Sequence, residues 1–414
     1  MAMMRIDPML ENRDIIIIGL QPWYYEIGSN CKNIALQLSK HNRVLYVDLP
    51  INRKTFYSND PNPGIQDHCA VIREKKQNIH LVENNLWELF PTSLVESINW
   101  LPSTALFKWV NRINNKRFAN DIKKACRELH FRNVILFNDN DFFNGYDLKK
   151  FFQPSLYVYY CRDYLRGHNY WKKHGDTLEP QLIAKADLAV ANSAYLAGYC
   201  SEHNKNSHYI GQGCDLENFD SGVKRQKPLD LTTISSPVIG YVGAVISYRL
   251  DENIIRIIAE ADPAWQVVLV GPEDEVFQKS KLHQLPNVHF LGRKPMNELP
   301  SYIAHFDVCI NPQLLSPITI GNYPLKVDEY LAMGKPVVAT NTKTMEMFGD
   351  HTYLAGQPSD YPDLIRRALR ENNDDLKNKR TAYARTHTWE NSVEKLAKAV
   401  EEREKIIADK SIAH

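Results

Sequence analysis

The stretch Asn322-Tyr-Pro-Leu-Lys-Val-Asp-Glu-Tyr-Leu-Ala-Met-Gly-Lys-Pro-Val-Val-Ala-Thr340 reads as the end of a loop, a helix and a buried strand. Pro324 suits the opening of a helix, where its missing N–H is no loss, and the helix is expected from about Leu325. Pro336–Ala339 is an apolar run fit for a strand covered on both faces. Another such run, Val308–Asn311, comes before, with a loop through Ile320 between. Strand, loop, helix and strand in that order form one step of a parallel sheet flanked by helices.

Working outward, the same alternation fills the chain. Upstream, Asp14–Gly19, Val44–Asp48, Ile79–Val82, Val134–Phe137, Leu156–Tyr160 and Leu188–Ala191 read as strands. A helix fits Asn30–His41, with Ile34, Ala35 and Leu38 on one face. After Cys214 a second series begins: Val238–Gly243, Trp265–Val270, Val288–Leu291, then the two runs above. A polar segment around Asp220–Thr232 separates the series. With 414 residues the chain exceeds one comfortable core, so two α/β domains are expected. Trp389–Ile407 is a charged amphipathic helix with Val393, Leu396, Val400 and Ile406 on its apolar side.

Fifty Lys and Arg against 49 Asp and Glu leave a formal charge of +1, which argues against a nucleic-acid partner held by bulk electrostatics. The seven cysteines are scattered without a CxxC pair, a pattern that fits a reducing cytoplasm better than a disulfide framework or a zinc site. Met1–Arg13 has no signal-peptide core. The longest apolar runs are far too short to span a bilayer.

Ligands of open α/β sheets bind beyond the carboxyl ends of the strands. Gly243 would let backbone approach a ligand, and Arg249, six residues on, can pair with a phosphate. Gly271-Pro272 ends the next strand, where a base or ribose could pack. At the helix near Leu325, first-turn amides and the helix dipole offer a place for a diphosphate. Lys326 adds a full charge at that end, and Glu329 one turn later can accept ribose hydroxyls. The plainer alternative makes Lys326 a surface lysine and Glu329 a helix stabiliser.

Further strings accompany the opening one: Arg249-Leu-Asp251, Pro263-Ala-Trp-Gln-Val-Val-Leu-Val-Gly-Pro272, Pro286-Asn-Val-His-Phe-Leu-Gly292 and Glu298-Leu-Pro-Ser-Tyr-Ile-Ala-His-Phe-Asp-Val-Cys-Ile-Asn-Pro312. Together with Asn322–Thr340 they resemble family 4 retaining glycosyltransferases of the GT-B fold. Tyr159-Tyr-Cys-Arg-Asp163 and Ala186-Asp-Leu-Ala-Val-Ala-Asn-Ser193 match more weakly, and Thr388-Trp389-Glu390 resembles the start of the family's C-terminal helix. The resemblance implies two Rossmann-like domains facing across a cleft. Residues 1–215 would be the acceptor domain, joined by the returning helix 388–414, and residues 216–387 the donor domain.

The resemblance also implies that Glu329 binds the donor ribose. Backbone amides around Pro324, Leu325 and Lys326 would hold the diphosphate, with Lys326 and Arg249 neutralising it. The family often has a glutamate eight positions earlier, contacting the transferred sugar; here that position is Gly321, with Asn322 or Thr319 as substitutes. In the first domain, Arg162-Asp163 stands where many relatives carry a catalytic-loop histidine. Asp163 would orient the acceptor or stabilise charge at the anomeric carbon, with His168 a competitor and a helix cap the structural alternative. Gly19 and the loop with Trp23, Ser29 and Asn30 resemble the loop facing the diphosphate, although Asn30 also suits a helix N-cap. Asp139-Asn-Asp141 matches a DxD metal pattern, but the GT-B strings point to metal-independent chemistry.

Leu86–Leu129 mixes Trp87, Phe90, Trp100, Phe107 and Trp109 with Lys108, Arg112, Lys116, Arg117, Lys123, Lys124 and Arg127. Such a stretch suits an anionic membrane surface, or a packed helix with a solvated basic face. The expected function is transfer of a sugar from a nucleoside-diphosphate sugar to a glycan or lipid-linked glycan, with no cofactor, in cell-surface polysaccharide assembly. The cytoplasm, or the inner face of the membrane, is the expected location. A sugar-nucleotide epimerase and a non-catalytic glycan-binding or scaffold protein are the rivals.

Overall fold

The computed structural model describes residues 10–25, 29–58, 60–214 and 216–412. Two compact units emerge: one takes in the chain through Gly211 and again from Trp389 onward, the other Gln212–Thr388. The second unit is therefore an insertion in the sequence of the first.

The first unit's strands are β1 (Asp14–Ile18), β2 (Arg43–Val47), β3 (Ile79–Glu83), β4 (Leu86–Leu89), β5 (Ile135–Asp139), β6 (Leu156–Cys161), β7 (Leu188–Ala191) and β8 (Ser207–Tyr209). They form one sheet in the order β3-β4-β2-β1-β5-β6-β7-β8, parallel except where β3 meets β4. Ile15 to Ile18 are at most 1% exposed. Ile16 and Ile18 enter one core and Ile15 and Ile17 the other, so a strand with layers on both faces needs an unbroken apolar run. The Trp389–Ile412 helix closes the second of these cores, where Trp389, Leu396 and Val400 join Ile34 and Leu38. Ile406, expected on that apolar side, is instead 43% exposed.

The second unit's strands are β9 (Val238–Val242), β10 (Gln266–Val270), β11 (Val288–Gly292), β12 (Val308–Asn311), β13 (Val337–Thr340) and β14 (Tyr353–Ala355). All are parallel, in the order β11-β10-β9-β12-β13-β14. The order reverses between β9 and β12, which makes their carboxyl ends the switch-point crevice. Between β12 and β13 runs the Leu325–Ala332 helix. Its Val327, Tyr330 and Leu331 are buried in the core, and the Tyr330 hydroxyl accepts the Val242 amide at 2.8 Å.

Three strands escaped the sequence reading: β4, β8 and β14. Leu86–Leu89, which opens the basic aromatic stretch, is thus sheet and not helix; Phe90 and Phe107 are core residues. The helix expected from Asn30 is capped by Ser29, whose hydroxyl accepts the Lys32 amide at 3.3 Å, so Asn30 is its first residue and not its cap. All seven cysteines are buried free thiols.

Candidate functional site

In the second unit, a cavity of about 190 Å³ opens at the carboxyl ends of β9 and β12. Tyr241, Arg249, Asn311, Asn322, Pro324, Leu325 and Lys326 are among its lining residues, and no carboxylate is. The Lys326 ammonium lies 4.2 Å from the Tyr241 ring centroid and donates to the Tyr241 hydroxyl at 2.5 Å. Gly243 makes this possible: at φ +138°, a Cβ there would stand 2.8 Å from Lys326 Nζ. Arg249 is exposed, its guanidinium 5.8 Å from the Tyr248 ring. Neither cation pairs with a carboxylate among the described residues, so the cavity mouth carries two uncompensated positive charges.

The helix start contributes less than its sequence suggests. Pro324 takes the cap position at φ −87°, the Leu325 amide donates to the Tyr323 carbonyl at 3.1 Å and the Val327 amide to the Pro324 carbonyl at 2.8 Å. Two first-turn donors are therefore already used, and the side-chain cations carry more of the anion field. Glu329 is half-buried one turn further on and is not part of the cavity lining. Gly271 answers a packing demand, since a Cβ there would lie 1.9 Å from the Gly243 carbonyl oxygen. Thr319 is committed to its own loop: it hydrogen-bonds the Leu314 carbonyl and accepts the Ser316 amide at 3.0 Å. Thr319 and the half-buried Asn322 both line the cavity.

Two features of this unit were not foreseen. Asn311, at the end of β12, has a buried Nδ2 without a hydrogen-bond partner among the described residues, in a cavity-lining side chain only 3% exposed. Beneath the helix, the fully buried Asp328 receives the Tyr323 hydroxyl at 2.7 Å and meets His387 Nδ1 at 2.7 Å. Burial pushes the Asp328 carboxyl above its ordinary range. The His387 carbonyl in turn accepts the Cys214 amide at 2.9 Å, so both chain crossings of this unit meet one residue.

In the first unit, Arg162 and Asp163 follow β6. Arg162 Nε lies 2.6 Å from Asp139, and its Nη1 2.8 Å from Asp163. Asn140 Oδ1 accepts both the Arg162 and Asp163 amides, at 2.8 and 2.9 Å. From the loop after the neighbouring strand β1, the Leu20 amide donates to Asp139 at 3.3 Å, which brings the Gly19 loop to the same cluster. Gly19 has no room for a side chain, as a Cβ would fall 2.1 Å from the Tyr46 hydroxyl. Asp163 is no helix cap; the next turn, Leu165–Gly167, starts after Tyr164. His168 is the exposed cap residue of the Asn169–Lys185 helix.

The DxD carboxylates are both engaged inside the protein. Asp139 holds Arg162, and Asp141 accepts the Phe143 and Asn144 amides and Asn144 Nδ2 at 2.8 to 2.9 Å. Beside this cluster, Asp48 and Glu88 form a buried carboxyl pair, with Asp48 Oδ2 and Glu88 Oε1 receiving no donor among the described residues. Burial raises both, Glu88 to about 7, and the two carboxyls titrate as an interacting pair. Asp48 also accepts the Trp23 amide at 3.0 Å, tying the pair to the Gly19 loop.

Known proteins fit this picture. Residues 236–371 match the family model described as Glycosyl transferases group 1. The chain is 31% identical over 224 residues to TuaH of Bacillus subtilis (strain 168), named as a teichuronic acid biosynthesis glycosyltransferase. That match covers 51% of this chain and 56% of TuaH, so the chain spans about half the length of this curated relative. Among solved structures, Anabaena Alr3699/HepE in complex with UDP is 14% identical with a TM-score of 0.58, over 97% of this chain and 100% of that one. The α,α-trehalose 6-phosphate synthase of Burkholderia multivorans is 10% identical with a TM-score of 0.67, over 98% of both chains. Sucrose-phosphate synthase from Thermosynechococcus elongatus is 15% identical with a TM-score of 0.57, over 97% of this chain and 99% of that one. The chain has the GT-B fold, and its second unit matches a group 1 glycosyltransferase domain.

Proposed function

We propose that this protein is a family 4-type retaining glycosyltransferase that moves a sugar from a nucleoside-diphosphate donor to a glycan or lipid-linked glycan. The observation that carries the reading is the carboxylate-free cavity at the β9–β12 switch point, with Lys326 and Arg249 lacking a carboxylate partner among the described residues. A diphosphate supplies the negative charge these cations lack, and charge grows on it as the bond to the anomeric carbon breaks. Glu329 would take the ribose hydroxyls, and Gly243 and Gly271 would let the two strand-end loops close around the nucleotide. In the first unit, Asp163, held by Arg162, would face the acceptor or the developing positive charge, as carboxylates do in glycoside hydrolysis. The engaged state of Asp139 and Asp141 favours a metal-independent reaction.

HepE binds UDP and UDP-glucose, which makes a uridine nucleotide the first donor to try. TuaH's place in teichuronic acid biosynthesis supports cell-surface polysaccharide assembly, with the protein in the cytoplasm or at the inner membrane face. Calorimetry with UDP-, GDP-, ADP- and dTDP-sugars tests the donor site directly. Lys326→Ala and Arg249→Ala should each weaken binding by about tenfold or more, as expected for a lost charge-assisted contact of about 1.5–3 kcal/mol. Unchanged affinity in both folded variants would refute the site. Donor conversion without an acceptor, to an epimer, would favour the epimerase instead.

A further inference from the structure

The Thr104–Glu128 helix divides the aromatic residues of its stretch in two. Phe107 and Phe118 are buried in the core of the first unit, at 2% and 0% exposure. Trp109 is 67% exposed, Leu106 43% and Ile113 45%, and at this spacing the three share the outward face. Trp100, just before the helix, is 71% exposed and Tyr170 60%. These two are joined to the same surface, since Lys173 Nζ donates to the Trp100 carbonyl at 3.0 Å and Asn99 Nδ2 to the Tyr170 carbonyl at 2.9 Å.

A solvated basic face does not account for two tryptophans held largely in water. Apolar patches of this kind mark an interaction surface, and the charge pattern selects the partner. From Ser97 to Asn120 the sequence has no Asp or Glu and four Lys or Arg. Arg117 is paired with Glu96 at 3.0 Å and Lys108 is hydrogen-bonded to Gln181. Arg112 and Lys116 lie exposed beside Trp109 and Ile113 and form no ion pair among the described residues. In a chain of net charge +1, this is a local concentration of cation and indole on one helical face. Indole rings favour the boundary between headgroups and acyl chains, while Lys and Arg favour anionic headgroups. No helix among the described residues is long and apolar enough to cross a membrane, so such contact lies in the interfacial plane.

We infer that the face formed by Trp100, Leu106, Trp109, Arg112, Ile113 and Lys116 docks the protein on an anionic lipid bilayer. The inference does not depend on the donor-site reading, because none of these residues lines that cavity.

Flotation with vesicles tests it on the full chain. Vesicles containing phosphatidylglycerol should carry the protein, pure phosphatidylcholine vesicles should do so weakly, and added salt should release it. Trp100→Ala with Trp109→Ala, and separately Arg112→Glu with Lys116→Glu, should each lower the partition onto anionic vesicles by at least about tenfold. These side chains are outside the core, so both double variants should keep the unfolding midpoint of the parent. Lys326→Ala, which tests the donor site, should float as the parent does. Failure of the parent to bind anionic vesicles, or equal binding by both double variants, would overturn the inference. So would light scattering that shows a dimer which the tryptophan variant dissociates, for then a second copy covers the face.

Discussion

Asn311 holds a buried amide nitrogen for which the described residues supply no acceptor, and an unmatched buried donor costs about 1–3 kcal/mol. A cavity that tolerates such a group is built for an oxygen brought by its ligand. Asn311→Leu should therefore raise unfolding stability by about 1 kcal/mol while weakening nucleotide-sugar binding several-fold, measured by urea titration and calorimetry on one preparation. A loss of stability with unchanged affinity would remove Asn311 from the site. Glu88 makes a second residue-scale prediction. Its carboxyl is held up at about 7 against an unfolded value of about 4.3, so the folded state keeps a proton that the unfolded state releases. The stability this lends is complete below about pH 4 and is lost as pH rises through about 7. Glu88→Gln should flatten the fall in stability between about pH 5 and 8, and an unchanged slope would deny that Glu88 is held protonated. Lys326 and Pro324 could be read in the sequence because a helix start and its neighbouring charge are local facts. Asn311 and Glu88 could not: whether an amide or a carboxyl lacks a partner depends on what distant strands bring to it.

The Leu325–Ala332 helix shows how an element is held from below. Asp328 joins Tyr323 to His387, 59 residues away in sequence, at the point where the chain leaves the second unit. Removing His387 leaves a buried carboxyl short of a partner, a change that typically costs about 3–5 kcal/mol where the pair is charged and less where it is neutral. Asp328→Asn, His387→Ala and their double variant should give losses that fall short of additive by about 1–3 kcal/mol, read from urea unfolding. Strict additivity would mean that the two groups do not act on one another. The same contrast between local and distant causes governs the strands. β1 is an aspartate and four isoleucines, the isoleucines with a core on either face, and no other element suits that run. β4 is Leu-Trp-Glu-Leu, where the buried Glu88 interrupts the apolar signal. β8 and β14 are three residues each, too short to show a period. Burial of a glutamate beside a second carboxyl is a tertiary event, and sequence pattern alone placed that strand in a basic aromatic stretch.

At the scale of the molecule, the second unit is inserted in the chain of the first, which separates what each needs in order to fold. Gln212–Thr388 is one continuous segment with its own six-stranded sheet and cores. The first unit is discontinuous, because Trp389, Leu396, Ala397 and Val400 complete the core around Ile34 and Leu38. The amphipathic stripe of the last helix was plain in the sequence, but a stripe says only that a helix packs and not against what. Two truncations follow from this arrangement. A fragment of residues 212–388 should fold alone and bind the nucleotide with nearly the affinity of the whole chain. A chain ending at Thr388 should keep that binding yet lose most of the first unit's stability. Fully burying a large apolar side chain is worth about 1.5–3 kcal/mol, and three such residues together approach the total stability of a domain. Limited proteolysis with and without nucleotide would separate the effects: in the truncated chain, cleavage should concentrate before Gly211, and nucleotide should protect only the segment after it. Cleavage spread evenly over both units, or nucleotide protection of the first, would show that the units do not fold independently.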